Sequence, residues 1–335
     1  MKNNAIELSI VIPVYNRPFE IDELLKSLTQ QTRKNFEVII VEDGSIKRCD
    51  EIVDKYRGFL NIRFFYKNNT GPGQSRNYGY EKAKGNYCVF LDSDCILPVH
   101  YIEIVQNALM SNFVDAFGGP DKAHENFTHF QKAINYAMTS FLTTGGIRGG
   151  KKRLDEFYPR SFNMGCSKKV LEETKGFSNM RFGEDIDISI RIIKRGFKTG
   201  LINEAFVYHK RRTSLKQFFK QVYNSGIARI NLFKRHPESL KIIHTLPSLF
   251  IIGIAFLSVL SILVSVFYLI PVLLFTLLLF CDSSFKNRSI SIGMLTILVS
   301  FTQLFGYGSG FMVAFWKRIL LEKDEFSAFT NNFYT

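Results

Sequence analysis

The sequence predicts an α/β domain on an open, mostly parallel sheet, followed by a membrane-associated helical tail. Three observations predict it. Short apolar runs that end in polar residues recur through the first hundred positions, stretches of helical length separate them, and residues 246–281 carry no charge. Runs without polar alternation mark strands buried on both faces, and their alternation with helices is the pattern of parallel sheets.

The elements follow in order. Residues 8–15 form the first strand, which opens at Asn16-Arg17. Residues 19–30 form a helix with Ile21, Leu24, Leu25 and Leu28 on one face. A second strand over 36–41 leads to Glu42-Asp43-Gly44-Ser45, and a third over 62–66 leads to Lys67-Asn68-Asn69. The turn Gly71-Pro72-Gly73 reverses the chain into a helix over 73–84. The fourth strand, 87–91, runs into Asp92-Ser93-Asp94.

Ligands of such sheets bind outside the carboxyl ends of the strands, so Asn16, Asp43 and Asp94 are expected in one crevice. Two carboxylates one residue apart at a strand exit suit a hard divalent cation, Mg²⁺ or Mn²⁺, whose other ligands a diphosphate can supply. A Rossmann-type dinucleotide site is excluded, because no G-x-G-x-x-G follows the first strand.

The 335 residues leave room for one large domain plus an appendage. Cys49, Cys88, Cys95, Cys166 and Cys281 form no C-x-x-C pair and read as reduced core thiols, which points to a cytoplasmic catalytic part. Residues 1–7 are polar and lead straight into the first strand, so no signal peptide is expected.

The formal charge of +13 concentrates before the tail, in Lys194-Arg195, Lys198, His209-Lys210-Arg211-Arg212, Lys216, Lys220, Arg229 and Lys234-Arg235. A basic cluster beside a membrane-length apolar segment favours anionic lipid, by about 1 kcal/mol per residue near the surface, over nucleic acid. Residues 214–233 read as an amphipathic helix with Ser214 as N-cap, lying on the membrane surface or packed on the sheet.

The domain boundaries expected are 1–212 for the catalytic domain, 213–240 for the interface helix and 241–335 for the tail. A hairpin over 246–281 turns near Tyr268 and Pro271, and residues 282–288 make a polar break. Residues 290–316 are apolar again, but Gln303, Gly306, Gly308 and Gly310 suggest a re-entrant or interfacial segment ending at the anchor Trp316-Lys317-Arg318. The positive-inside tendency places residues 210–235, Lys286 and Arg288 in the cytoplasm, whereas a third crossing would put Thr335 outside. Truncation after Arg235 is expected to give a more soluble protein.

Five motifs resemble the inverting family 2 glycosyltransferases, enzymes with a GT-A fold. They are Val11-Ile12-Pro13-Val14-Tyr15-Asn16, Val41-Glu42-Asp43-Gly44-Ser45, Gly71-Pro72-Gly73-Gln74-Ser75-Arg76-Asn77-Tyr78-Gly79, Phe90-Leu91-Asp92-Ser93-Asp94 and Gly183-Glu184-Asp185-Ile186-Asp187. The resemblance covers roughly the first 230 residues. The pattern His209, Ser214-Leu215, Gln221 and Gly226-Ile227-Ala228-Arg229 is similar to bacterial exopolysaccharide-type members with a hydrophobic tail.

The resemblance implies transfer of a sugar from a UDP- or GDP-sugar to a lipid-linked saccharide at the inner membrane. It implies Asp94 and His209 as metal ligands, with Asp92 and Ser93 at the ribose or the metal-bound waters. Asp185 is implied as general base, helped by Glu184. Pro13, Tyr15, Asn16, Glu42, Asp43 and Arg76 are implied in nucleotide binding, and Gln221 and Arg229 in the acceptor or diphosphate region. The segment Asn163-Met164-Gly165-Cys166 matches a variable acceptor loop. The Gln-x-x-Arg-Trp motif of processive synthases is missing, since Gln221 and Arg229 are separated and the single Trp is Trp316. Two alternatives stay open: transfer to a polyprenyl monophosphate, and a catalytically silent membrane scaffold.

Overall fold

The computed structural model describes residues 6–122, 124, 127–145 and 158–329, so Thr335 lies outside the described residues. The chain forms two compact units, Met1–His124 with Phe157–Lys210, and Glu125–Glu156 with Arg211–Thr335.

In the first unit β1 (Leu8–Val14), α1 (Pro18–Thr29), β2 (Phe36–Asp43), a short α2 (Asp50–Asp54), β3 (Ile62–Lys67), α3 (Pro72–Lys82) and β4 (Tyr87–Leu91) alternate as the sequence predicts. β5 (Cys95–Ile96), α4 (Tyr101–Ser111), β6 (Ala116–Gly118) and β7 (Asp121–Lys122) follow. The chain then leaves for the second unit, which holds α5 (His129–Thr139) and α6 (Phe141–Thr144). It returns with β8 (Asn163–Ser167), α7 (Lys168–Thr174), α8 (Glu184–Lys194), β9 (Thr199–Leu201) and β10 (Val207–His209).

The main sheet has the order β3-β2-β1-β4-β8-β6-β9. Most pairings are parallel, but β8 runs antiparallel to both β4 and β6. The segment matched to an acceptor loop is therefore a buried strand, with Leu91 opposite Asn163. Tyr101 donates to Asn163 Oδ1 at 2.6 Å, and Asn163 Nδ2 donates to the Ala205 carbonyl at 2.7 Å, which satisfies that buried amide.

Alternate residues of each central strand enter different cores. Ile10, Ile12, Val38, Ile40, Val89 and Leu91 pack on one side, and Val11, Ile39, Val41, Cys88 and Phe90 on the other. That two-sided burial is why these strands read as unbroken apolar runs. Each such side chain contributes about 1.5–3 kcal/mol by leaving water.

Strand order reverses at β1, which lies between β2 and β4. The carboxyl ends of β1 and β4, with Asn16-Arg17 and Asp92-Ser93-Asp94, thus flank a switch-point crevice. A smaller sheet, β5-β10-β7, pairs His209 with Cys95 and brings a distant histidine beside Asp94.

In the second unit, α9 (Leu215–Arg235), α10 (Leu246–Leu263), α11 (Ile270–Asn287) and α12 (Ile290–Phe315) follow in order. Ser214 caps α9 by accepting from the Gln217 N–H at 3.3 Å. The apolar face of α9 packs on α12: Phe218 and Val222 lie with Ile292 and Val299, and Ile227 and Ile230 with Phe311 and Ala314.

The glycines of α12 serve this packing. A Cβ at Gly310 would overlap the Tyr223 carbonyl of α9, and one at Gly226 of α9 would overlap the Tyr307 carbonyl. These are backbone-to-backbone contacts of the small-residue kind that bring membrane helices close together.

Among the described residues, three helices are long and apolar enough to cross a membrane: Leu246–Leu263, Val266–Asn287 and Ile290–Leu320. The polar break at 282–288 turns out to be the last turns of α11, where Lys286 pairs with Asp282 at 2.8 Å. Residues 290–315, expected as a re-entrant or interfacial segment, form one unbroken helix.

The α9–α12 contact also reverses the expected effect of truncation after Arg235. Removing α12 exposes Phe218, Val222, Ile227 and Ile230, so the shortened chain should aggregate. A monodisperse truncated protein in size-exclusion chromatography would contradict that packing.

Candidate active site

Asp92, Ser93 and Asp94 occupy the link between β4 and β5. His209, at the end of β10, places Nε2 3.1 Å from Asp94 Oδ1 and 3.8 Å from Asp92 Oδ2. Its ring stacks on Phe162, with centroids 5.0 Å apart, and its Nδ1 is buried without a hydrogen-bond partner among the described residues. Asp94, Cys95 and His209 bring potential ligand atoms within 4.8 Å of one another.

Burial, followed by the neighbouring Asp94, pushes the Cys95 thiol well above its ordinary range, so it stays protonated. That leaves carboxylate oxygens and one imidazole nitrogen as donors, a set that fits a divalent cation of the harder type. Asp94 and His209 would hold it directly.

Among the described residues, three arginines pair with the acidic cluster. Arg76, from α3, is buried and donates to Asp92 Oδ1 at 2.7 Å and to Glu184 Oε1 at 2.9 Å. Burial works against its charge, but Asp92 and then Glu184 outweigh it and hold its pKa above the ordinary value. Arg17, at the exit of β1, pairs with Asp94. Arg160 pairs with Asp185 at 2.8 Å.

Sequence reasoning missed Arg17 and Arg160 as members of this cluster. The position of Arg17 immediately after Asn16 at a strand exit was an available signal. Arg160 precedes β8 in a stretch without periodicity and offered none.

Glu184 and Asp185 open α8. Gly183 enters it at φ +87°, in the left-handed region that favours glycine. Both carboxylates thus sit in the first turn, where the helix dipole favours negative charge. Asp187, one turn along, bonds Arg191 at 2.7 Å. Arg191 in turn donates to the Gly176 carbonyl at 2.8 Å, so this pair anchors the loop before α8.

Burial, then the adjacent Asp185, pushes the Glu184 carboxyl up to about 7, against the pull of Arg76. In the unfolded chain the same group titrates near 4.5. Between those values the folded protein keeps a proton that the unfolded chain has lost. Stability therefore falls as pH rises through this window and stays lower above it, by about 3 kcal/mol at most. Glu184→Gln should remove that part of the pH dependence. If melting curves from pH 5 to 8 run parallel for both proteins, the buried-acid assignment is wrong.

The nucleotide-side residues hold the surrounding loops. Asn16, at φ +53°, accepts from the Ile46 and Lys47 N–H groups at 2.8 and 3.0 Å, and its own N–H donates to Ser45 Oγ at 2.9 Å. Asp43 accepts from the Thr70 and Gly71 N–H groups at 2.9 and 2.8 Å and pairs with Lys67. Glu42 is fully buried and accepts from the Cys49 N–H at 3.1 Å. Pro13 and Tyr15 are half-buried around the exit of β1, and Ser93 is buried.

Gln221 and Arg229 lie on α9 in the second unit. Gln221 accepts from Ser225 Oγ through its carbonyl at 3.0 Å, and Arg229 Nε is buried without a hydrogen-bond partner among the described residues.

Residues 9–174 match the model of glycosyl transferase family 2. The chain is 30% identical over 219 residues to an uncharacterized glycosyltransferase of Haemophilus influenzae, covering 62% of this chain and 70% of the relative. It is 26% identical over 230 residues to an uncharacterized glycosyltransferase of Rickettsia bellii, covering 68% of this chain. The match takes in 32% of that relative, so the chain spans about a third of its length.

The fold is similar to that of a mannosyltransferase from Pyrobaculum calidifontis solved with GDP-Man and Mn²⁺. The TM-score is 0.63 over 89% of this chain and 88% of that one, at 14% identity. The shared fold agrees with the ordered motifs, and the Haemophilus relative is matched over more than two thirds of its length. On these grounds the chain belongs to glycosyltransferase family 2.

Proposed function

We propose that the protein is a membrane-attached inverting glycosyltransferase that moves a sugar from a UDP- or GDP-sugar to a hydroxyl of a lipid-linked saccharide. The observation that carries this reading is the convergence of Asp92, Asp94 and His209 with Arg76 and Glu184 beside the switch-point crevice. Asp185 opens the same helix as Glu184.

In the reaction the acceptor oxygen bonds to the anomeric carbon as the bond to the nucleoside diphosphate breaks. A divalent cation, Mg²⁺ or Mn²⁺, would neutralise the charge that builds on the departing diphosphate. Asp94 and His209 are the ligands proposed for it, and the mannosyltransferase of similar fold was solved with Mn²⁺. Asp185 takes the acceptor proton. Glu184, held by Arg76, orients donor or acceptor, and it is the alternative base because its carboxyl rests near pH 7.

Pro13, Tyr15 and Asn16 would flank the base and ribose, with Asp43 and Arg76 as the polar contacts. Gln221 and Arg229 would meet the acceptor's diphosphate. The tail would hold the protein at the inner membrane with the catalytic unit in the cytoplasm, where sugar nucleotides are made. Transfer to a polyprenyl monophosphate differs only in acceptor, so assays with the two acceptors separate the readings.

A thermal-shift panel of UDP-, GDP- and dTDP-sugars with Mn²⁺ tests the donor. Specific binding must raise the melting temperature by mass action. No shift with any donor would overturn the proposal.

A further inference from the structure

We propose that the turn between α11 and α12 binds the phosphate of an anionic phospholipid, with Arg288 and Lys286 as its cations and the exposed face of α11 as the track for an acyl chain. The inference goes beyond the transfer reaction and requires only that these two helices meet a bilayer.

The helices fix the location. Val266–Asn287 and Ile290–Leu320 are each long and apolar enough to cross a membrane, so Arg288 and Ser289 between them lie where hydrocarbon gives way to headgroups. A recess of about 560 Å³ opens there, lined by Ser284, Phe285, Lys286 and Arg288. Basic recesses beside membrane helices are the kind of site that holds a lipid headgroup. The apolar part of the lipid has its own surface. Leu274, Leu278, Cys281 and Phe285 are exposed and recur at helical spacing, which makes one stripe of α11 that leads to the turn. Phe285, beside the recess, is 86% exposed.

The charges single out Arg288. Asp282 accepts from the Tyr136 hydroxyl and pairs with Lys286 at 2.8 Å. That carboxylate steadies Lys286 and offsets its charge, which leaves the net charge of the recess with Arg288. The backbone of Arg288 closes α11 at φ +51°, in the left-handed region. Glycine usually fills such a position, because a Cβ is disfavoured there. Pairing with the helix dipole explains a basic residue in the last turn, and Lys286 already provides one. Neither backbone nor dipole therefore accounts for an arginine at this position. A guanidinium that matches two phosphate oxygens does.

The test adds phosphatidylglycerol or phosphatidylcholine to the full-length protein in detergent micelles. Native mass spectrometry reads lipid affinity, and thermal melting reads stability. The wild type should bind phosphatidylglycerol more tightly than phosphatidylcholine and melt higher with it. Arg288→Gly suits the backbone, so without lipid it should melt no lower than the wild type. It should nevertheless bind phosphatidylglycerol about tenfold more weakly, the effect of losing one charge-assisted hydrogen-bonded contact. Lys216→Gln removes an exposed charge from α9 and should leave that affinity unchanged. Glycerol phosphate, an anion without acyl chains, should give no stabilisation.

A wild type without preference for phosphatidylglycerol overturns the inference, as does Arg288→Gly binding it as tightly as the wild type. Equal weakening in Lys216→Gln would assign the attraction to the charged surface at large. Stabilisation by glycerol phosphate would make the recess a site for free phosphate, and either result overturns the lipid assignment. No donor or divalent cation enters the test, so its outcome stands apart from that of the transfer reading.

Discussion

Asp185→Asn should bind donor as tightly as the native protein and transfer the sugar about 10²–10⁴-fold more slowly, the usual effect of losing a positioned base. The geometry makes this substitution mild for the fold. Asn keeps the oxygen that accepts from the Ile186 N–H at 2.9 Å. Arg160, which loses a charged partner, has a side chain 34% exposed and can turn to water. Donor affinity, read by calorimetry, should stay level while turnover collapses. Near-normal turnover would move the proton acceptor to Glu184, whose carboxyl already rests near neutrality. Asp187 is a poor substitute because its carboxylate is committed to Arg191.

Asp94→Ala should abolish the Mn²⁺ dependence of donor binding and leave the fold intact. The substitution removes the carboxylate facing His209 Nε2 at 3.1 Å and keeps the backbone carbonyl that Lys210 uses. The melting temperature without ligand should fall, because Arg17 loses a poorly solvated charge partner, and the extra stabilisation from donor with Mn²⁺ over donor alone should vanish. A variant whose donor binding responds to Mn²⁺ as the wild type does would place the cation elsewhere.

The parallel half of the fold was legible because β1, β2 and β4 are buried on both faces, and that burial writes itself into sequence as unbroken apolar runs. β8 was not legible. Asn163-Met164-Gly165-Cys166 carries one large apolar side chain, and its strand state is imposed by pairing with β4 and β6 on either side.

The acidic residues of the site were legible as strand exits and a helix start. Their arginine partners were not, because Arg17 meets Asp94 and Arg160 meets Asp185 only through the fold. Asn16 and Asp43 were expected near the nucleotide, and the structure occupies their side chains with the N–H groups of neighbouring loops. In the tail, Gly308 and Gly310 meet the backbone of neighbouring helices, a role that appears only when the partner helix is known.

The excursion of the chain between β7 and β8 has a consequence for synthesis on the ribosome. The buried face of α5, with Ala133, Ile134, Ala137 and Met138, finds its cover in Ile292 and Val299 of α12. Those residues emerge roughly 150 positions later, about 8–30 s at ordinary elongation rates. Over that interval the first unit can close its sheet, since β8, β9 and β10 are made before α9. α5 meanwhile waits with its apolar face uncovered. Such a nascent chain is a natural client for the membrane insertion machinery, and a pause in elongation before α12 would leave it most open to misassembly.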